Sequence, residues 1–506
     1  MAAITVVFVH GWSVTDLDTY GNLPARLRDE GKKNGVDIQV EEIFLGRYIS
    51  FHDEVKVADI SRAFKTALAE QLSNVSAFVC ITHSTGGPVV RDWWNRYCKG
   101  KRPKCSMSHL IMLAPANFGS ALAQLGKGTL SRLKSWWNGV EPGQGVLDWL
   151  ALGSDEAWNL NLDWILSEGS FISAASTGFF PFVLTGQSID RKLYDALNSY
   201  TGETGSDGVV RVAAANLEAT YIKLEQPKPA TNDKGKVIKN RDGKILSTTL
   251  KLAQSVAAPP VPLRIISKRA HSGDKLGIMY SVGEDDAKSM ETINAIFDCI
   301  NVKTAGDYQK LIVKFQDETR QVQIAEKVEV EKRLLLSDRY FIHDRYTMII
   351  FRVTDTEGRP ITDFDLLLTA GEENDPNHLP EGFFVDRQQN KSNKNTVTYF
   401  LNYDILIGST EEVRDPQSGK VLRETSEGIE LLGLQLRPRP DEGFVKYAEC
   451  GYQASKKLFS QALNPNSTTM IDIVLQRIVD KEVFRLEKLV KSKDFSDTEP
   501  SDEIVD

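Results

Sequence analysis

Up to about residue 300 the chain alternates short, unbroken apolar runs with amphipathic stretches. Ile4–Val9, Val36–Leu45, Ala77–Ile81, His109–Leu113, Phe180–Thr185 and Leu263–Ser267 read as strands. Between them, Val57, Ile60, Phe64, Ala67, Leu68 and Leu72 fall near one face of a helix over Val55–Leu72. Pro88–Tyr97 reads as a second helix with its proline in the first turn, and Asp285–Cys299 as a closing one. Strands alternating with helices predict an α/β unit with a parallel sheet. Beyond residue 303 the pattern changes to strand-like runs: Met348–Val353, Phe364–Leu368, Thr396–Leu401, Ile429–Leu436 and Met470–Leu475. Turn signals at Glu357-Gly358 and Asn390–Asn395 separate them, which predicts a mostly β domain, an Ig-like sandwich.

Two stretches interrupt the α/β pattern. Five of the eight tryptophans (Trp136, Trp137, Trp149, Trp158 and Trp164) lie between Asn117 and Gly178, among many leucines. So apolar an insertion must bury its face somewhere. It is either a helical cap over a site that receives an apolar chain or a subdomain with its own small core. The second, about 226–262, contains Asn240-Arg241-Asp242-Gly243, a hairpin turn of type I′ character. The expected organisation is an α/β catalytic domain over 1–302, with a cap insertion at about 117–178 and a hairpin insertion at about 226–262. A β-rich domain over 303–490 and an acidic, disordered tail over 491–506 follow.

Composition narrows the function. A formal net charge of -8 disfavours a nucleic-acid partner, which would call for a basic surface. The five cysteines show no metal-ligand spacing, and no phosphate-cradling or dinucleotide fingerprint stands out, so no metal and no cofactor are expected. Ile4–Val9 is too short for a secretory core region and has no basic flank, so cytoplasmic synthesis is expected. Export would then use a route that reads no N-terminal signal.

The chemistry concentrates in four short segments. Thr82-His83-Ser84-Thr85-Gly86-Gly87 sits between an apolar strand and a helix, the context that forces a serine into a sharp turn with its hydroxyl exposed. Thr82 stands where the motif has glycine. Ser84 is the candidate nucleophile, and the N–H of Thr85 a candidate oxyanion donor at the positive end of the helix. His10-Gly11-Trp12 ends the first strand, and the Trp12 N–H is assigned as the second donor. His10 reads as a structural residue. Of the seven histidines only His271, in His271-Ser272-Gly273, follows the last strand and precedes the closing helix, so it is the candidate base. The acid should follow Phe180–Thr185. Asp207, in Gly205-Ser206-Asp207-Gly208-Val209-Val210, ranks ahead of Asp190, Asp195 and Glu203.

These motifs, in this order, resemble those of α/β-hydrolase lipases, with closest flavour to the branch of lecithin–cholesterol acyltransferase-like and GPI-inositol-deacylase-like proteins. Leu113-Ala114-Pro115-Ala116-Asn117-Phe118-Gly119-Ser120 partly matches a Thr-Pro-His-x-Gly-type segment of that branch. The resemblance covers roughly residues 4 to 300 and implies a serine hydrolase acting on lipid acyl esters, a lipase or phospholipase. By analogy it also implies kinship with phospholipase effectors delivered by type VI secretion. Membrane-surface contact through the cap and a protein partner for the C-terminal domain are further expectations. A short-chain esterase or thioesterase is the alternative within enzymes; a non-catalytic interaction protein on a hydrolase scaffold is the alternative outside them.

Overall fold

The computed structural model describes residues 3–10, 20–50, 52–100, 105–125, 143–167, 178–189, 204–233, 237–241, 243–273, 275–283, 287–332 and 338–479. Trp12, Trp136, Trp137, Asp190, Asp195, Glu203 and the tail 491–506 lie outside these residues.

The first half runs β1 (Ala3–His10), α1 (Leu23–Lys33), β2 (Asp37–Phe44), α2 (Val57–Gln71), β3 (Phe78–His83), α3 (Gly86–Tyr97) and β4 (Met107–Leu113). It continues with α4 (Gln144–Leu150), α5 (Asp155–Ile165), β5 (Phe180–Thr185), β6 (Ala219–Glu225), β7 (Thr248–Thr249), β8 (Lys251–Ala257), β9 (Leu263–Ile265) and α6 (Ala287–Ile300). Six of these strands form a parallel sheet in the order β2-β1-β3-β4-β5-β9. Strands covered on both faces need apolar residues at every position, which is why their sequences read as unbroken runs. Along β1, Val7 and Val9 point to the side holding α2 and α3, and Val6 and Phe8 to the side holding α1 and α6. The α/β-hydrolase architecture with a mostly β second domain is thus present.

The division at residue 302 needs correction on both sides. Residues just beyond it form the long helix α7 (Ala305–Ala325), which packs on the first sheet. Thr304 and Asp307 make its capping box, and Tyr308, Leu311, Ile312, Phe315, Thr319 and Val322 are its buried stripe. Tyr308 donates to the Pro181 carbonyl at 2.8 Å, and Thr319 Oγ1 to that of Leu263 at 3.1 Å. Conversely, β6 and β7 pair with strands of the second half and β8 pairs with β6 at the edge of the same sheet, so the hairpin insertion is a structural part of the second domain. A turn is present there, with Lys239 paired to Ile245, the Gly243 N–H donating to the Asn240 carbonyl at 3.1 Å and Gly243 at φ +80°; Asp242, on which the type I′ reading rests, lies outside the described residues.

The second half contains a hairpin, β10 (Val328–Glu331) and β11 (Arg339–Ile342), then β12 (Tyr346–Asp355), β13 (Phe364–Ala370), β14 (Phe384–Gln389) and β15 (Thr396–Asn402). Strands β16 (Leu432–Pro438), β17 (Cys450–Gln453) and β18 (Thr468–Leu475) follow. A six-stranded sheet, β14-β15-β12-β18-β6-β8, faces a four-stranded one, β13-β16-β17-β7. β18 runs parallel to both of its neighbours, β12 and β6. The central strands of the six-stranded sheet bury both faces, while its edge strands β14 and β8 are largely exposed. Ile349, Phe351, Val353, Tyr399 and Ile473 fill the sandwich core, whereas Met348, Ile350, Phe400, Met470 and Tyr221 join the core of the α/β half.

The described part of the tryptophan-rich excursion lies at that junction. Trp149, Trp158 and Trp164 are buried in the shared core, and the Arg352 guanidinium lies 4.5 Å over the Trp158 ring. Thr396 Oγ1 donates to the Gly153 carbonyl at 2.8 Å, and Asn390 Nδ2 to that of Leu152 at 3.0 Å. Gly153 adopts φ +75°, and a Cβ there would come within 2.7 Å of Thr396 Oγ1, so the approach requires glycine.

A chain cut after residue 302 loses α7 and leaves β6 and β8 without β18. We expect that fragment to aggregate or to melt without a cooperative transition, whereas the full chain unfolds as one unit across the shared core. Differential scanning calorimetry checks this; a soluble fragment melting like the intact chain would contradict it.

Candidate active site

The site is built on the carboxyl ends of the parallel strands. Ser84 follows β3 with φ +53°, a left-handed conformation costly for a non-glycine residue and diagnostic of a sharp turn under constraint. The turn is fixed from β4, whose Leu113 carbonyl accepts from the Ser84 N–H at 3.0 Å. Gly86 and Gly87 open α3. A Cβ on Gly86 would meet Thr82 Cβ at 3.2 Å, and one on Gly87 would meet Pro115 Cβ at 3.0 Å. Thr82, standing where the motif has glycine, is thus accommodated because Gly86 opposite it is bare. Thr85 caps α3, so its N–H lies at the positive end of the helix.

His271 and Asp207 reach the same place. His271 Nε2 lies 3.1 Å from Ser84 Oγ, and His271 Nδ1 lies 2.9 Å from Asp207 Oδ2. Both His271 and Asp207 are buried. The Asp207 turn is closed by a Ser206–Arg211 bridge and by the Asp207 N–H donating to the Val210 carbonyl at 3.2 Å. Asp207 Oδ1 accepts from the N–H groups of Val209 and Val210 at 3.0 and 2.8 Å, which fixes the carboxylate rotamer and leaves Oδ2 for the imidazole. The His271 N–H also donates to the Asp207 carbonyl at 2.9 Å, so the two residues are tied through backbone and side chain.

Two supporting residues escaped sequence reasoning. His83 lies with its ring centroid 4.7 Å from that of His271. Its Nε2 is 3.1 Å from the His271 carbonyl. Burial, then the neighbouring His271, push the His83 imidazole well below its ordinary pKa. With its proton on Nε2, the neutral ring donates to that carbonyl. Asn117 is the second. Its Nδ2 donates to the Ala215 carbonyl at 2.7 Å, its Oδ1 accepts from Arg91 at 3.0 Å, and its carbonyl accepts from Asn161 at 2.8 Å. It thereby joins α3, α5 and the segment after Asp207. Burial pushes the Arg91 guanidinium down to about 9. No signal in the sequence marks His83; Asn117 lies in the partly matched segment after β4. His10 packs 4.0 Å from the Phe44 ring and 4.9 Å from that of Tyr20 at the end of β1. Trp12, the other expected oxyanion donor, lies outside the described residues.

A hydroxyl bonded to an imidazole, itself bonded to a buried carboxylate, can transfer its proton as it attacks a carbonyl. No family model and no curated protein matches the chain. Two solved structures do so over nearly its whole length. The phospholipase PlaB from Legionella pneumophila superposes with a TM-score of 0.80 at 41% identity, covering 97% of this chain and 98% of that one. The same phospholipase in complex with thio-NAD gives 0.80 at 40% identity, with the same coverage. With about 40% identity over 97% of its length, the chain belongs to the PlaB family of α/β-hydrolase phospholipases.

Proposed function

We propose that this protein hydrolyses the carboxylic acyl esters of phospholipids, with Ser84 as nucleophile, His271 as general base and Asp207 as the acid that orients it. The observation that carries the reading is the unbroken relay of 2.9 and 3.1 Å from Asp207 through His271 to Ser84. Its membership in a phospholipase family supports the lipid ester as substrate. His271 Nε2 takes the hydroxyl proton as Ser84 Oγ adds to the acyl carbonyl. The oxyanion falls to the Thr85 N–H and, by the same reading, to that of Trp12. His271 then returns the proton to the departing alcohol, and water, activated by the same imidazole, frees the fatty acid. Membrane contact is assigned to the excursion, but not to Trp149, Trp158 or Trp164, which are buried. No helix among the described residues is long and apolar enough to cross a membrane.

A second proposal rests on the relative's complex with thio-NAD: that this chain also binds a nicotinamide dinucleotide. Ester hydrolysis transfers no hydride, so the dinucleotide would be a ligand and not a reactant.

Three outcomes are expected. Ser84→Ala and His271→Ala lower turnover by about 10⁴-fold or more and Asp207→Asn by less, while fluorophosphonate labelling disappears in Ser84→Ala. An unlabelled, folded wild-type protein would favour the scaffold alternative. Incubated with mixed phospholipids, the protein releases fatty acid and lysolipid detectable by mass spectrometry. Cleavage confined to short-chain nitrophenyl esters or thioesters would select the short-chain alternative. NAD raises the melting temperature by mass action if it binds the folded state; no shift at millimolar NAD would reject the second proposal.

A further inference from the structure

The turn that carries Asp207 is held from outside the α/β sheet. Arg211 is the backbone partner of Ser206 in the bridge that closes this turn. Its side chain is almost wholly buried and crosses to the second domain. There the guanidinium meets the Asp386 carboxylate at 2.5 Å and lies 4.2 Å over the ring of Phe400. The two partners are adjacent for a reason. β14 carries a bulge between Phe384 and Asp386, and the extra residue puts Asp386 directly opposite Phe400 on β15. Phe400 is stacked in turn on Tyr346, at 5.0 Å between centroids and 19° between planes. The Tyr346 ring fills the space that a Gly205 side chain would need, and its hydroxyl bonds Thr204. The residues just past Arg211 are pinned the same way: Thr468 Oγ1 donates to the Ala213 carbonyl at 2.8 Å, and Asn216 Nδ2 to that of Asn466 at 2.8 Å. The acid turn therefore has second-domain side chains on both flanks, and Arg211 is the residue of the turn that is both bridged to Ser206, beside Asp207, and paired with Asp386 of the second domain.

We infer that Arg211, seated between Asp386 and Phe400 of the second domain, is a positioning residue for the catalytic acid, so that the β sandwich is part of the catalytic apparatus and not an appended module. The inference rests on the assignment of Asp207 above. A planar guanidinium suits this seat because it can meet a carboxylate in its plane and an aromatic ring on its face together, which a lysine ammonium cannot do with the same geometry. The bulge in β14 is the device that brings the two halves of the seat together.

The test uses the full-length chain and a soluble acyl ester, with kcat and KM measured separately. Arg211→Lys keeps the positive charge, so a purely through-space influence on His271 would leave turnover unchanged. Loss of positioning lowers kcat by about tenfold with KM little altered, since misplacement of a catalytic group by about 1 Å can cost as much as 100-fold. The decisive measurement is the same replacement in the Asp207→Asn background. A residue that acts through Asp207 has little left to disturb there, so the tenfold effect shrinks to within about twofold; an independent structural effect costs the same factor in both backgrounds. Asp386→Asn, on an edge strand, should show the same non-additivity and carries the test if Arg211→Lys fails to fold by circular dichroism. Unchanged kcat in the folded variant, or equal losses in both backgrounds, overturns the inference. Full turnover in Asp207→Asn alone overturns instead the triad assignment beneath it.

Discussion

In the proposed mechanism the hydroxyl of Ser84 depends on a hydrogen bond it does not make, the one between Asp207 Oδ2 and His271 Nδ1. An imidazole bonded only to a serine can rotate or adopt the wrong tautomer; a carboxylate on Nδ1 removes both freedoms and stabilises the imidazolium formed during attack. The structure around this bond prevents its participants from relaxing. Two backbone N–H groups hold the carboxylate, the His271 backbone is tied to the Asp207 carbonyl, and His83 lies beside the carbonyl of His271. The strained backbone of Ser84 fits the same pattern, because a left-handed serine persists only where its surroundings leave it no alternative.

That preorganisation extends beyond the first sheet because the two halves share one core. In β12 alternate residues serve different interiors: Met348 and Ile350 pack toward the α/β half, Ile349 and Phe351 toward the sandwich. A sheet with only one covered face would show alternating apolar and polar residues. Here both sets are apolar, so separating the halves would expose a continuous hydrophobic face. The exchange of β6 and β8 into the second sheet adds main-chain hydrogen bonds across the same boundary. The sandwich is therefore a wall of the catalytic half as much as a domain beside it.

How legible this was in the sequence depended on the range of the contacts involved. Phe180–Thr185 could be read to its ends because a strand buried on both faces is apolar throughout. The convergence of Ser84, Asp207 and His271 was legible because each stands at a turn whose local signals, glycines and flanking apolar runs, are tied to the same chain order. The helix Ala305–Ala325 was legible in principle from Thr304-x-x-Asp307 and the spacing of Tyr308, Leu311, Phe315 and Val322. No helix was read there, and its packing on the first sheet had no local signal, because its partners, Pro181 and Leu263, are remote in sequence. The departure of β6 and β8 had no local signal, since a strand's pattern tells what covers its faces and not which strand lies at its edge. His83 was missed for a similar reason: its partner is a backbone carbonyl 188 residues away, and carbonyls carry no sequence identity.

The tryptophans of the excursion show the same limit from the other side. Apolar residues clustered in an insertion must be covered, but composition cannot distinguish cover by an acyl chain from cover by protein. Trp158 answers for its own position: it is buried beneath an arginine of β12 that also pairs with Asp472 at 2.8 Å. The half-buried Arg352 guanidinium gains from the aromatic face, and the Asp472 carboxylate offsets the cost of drawing the charge out of water. The arrangement thus requires both halves at once, Trp158 from the excursion and Arg352 with Asp472 from the sandwich. The excursion therefore acts first as mortar between the two sheets. Any acyl-binding surface must be formed by residues other than the buried Trp149, Trp158 and Trp164.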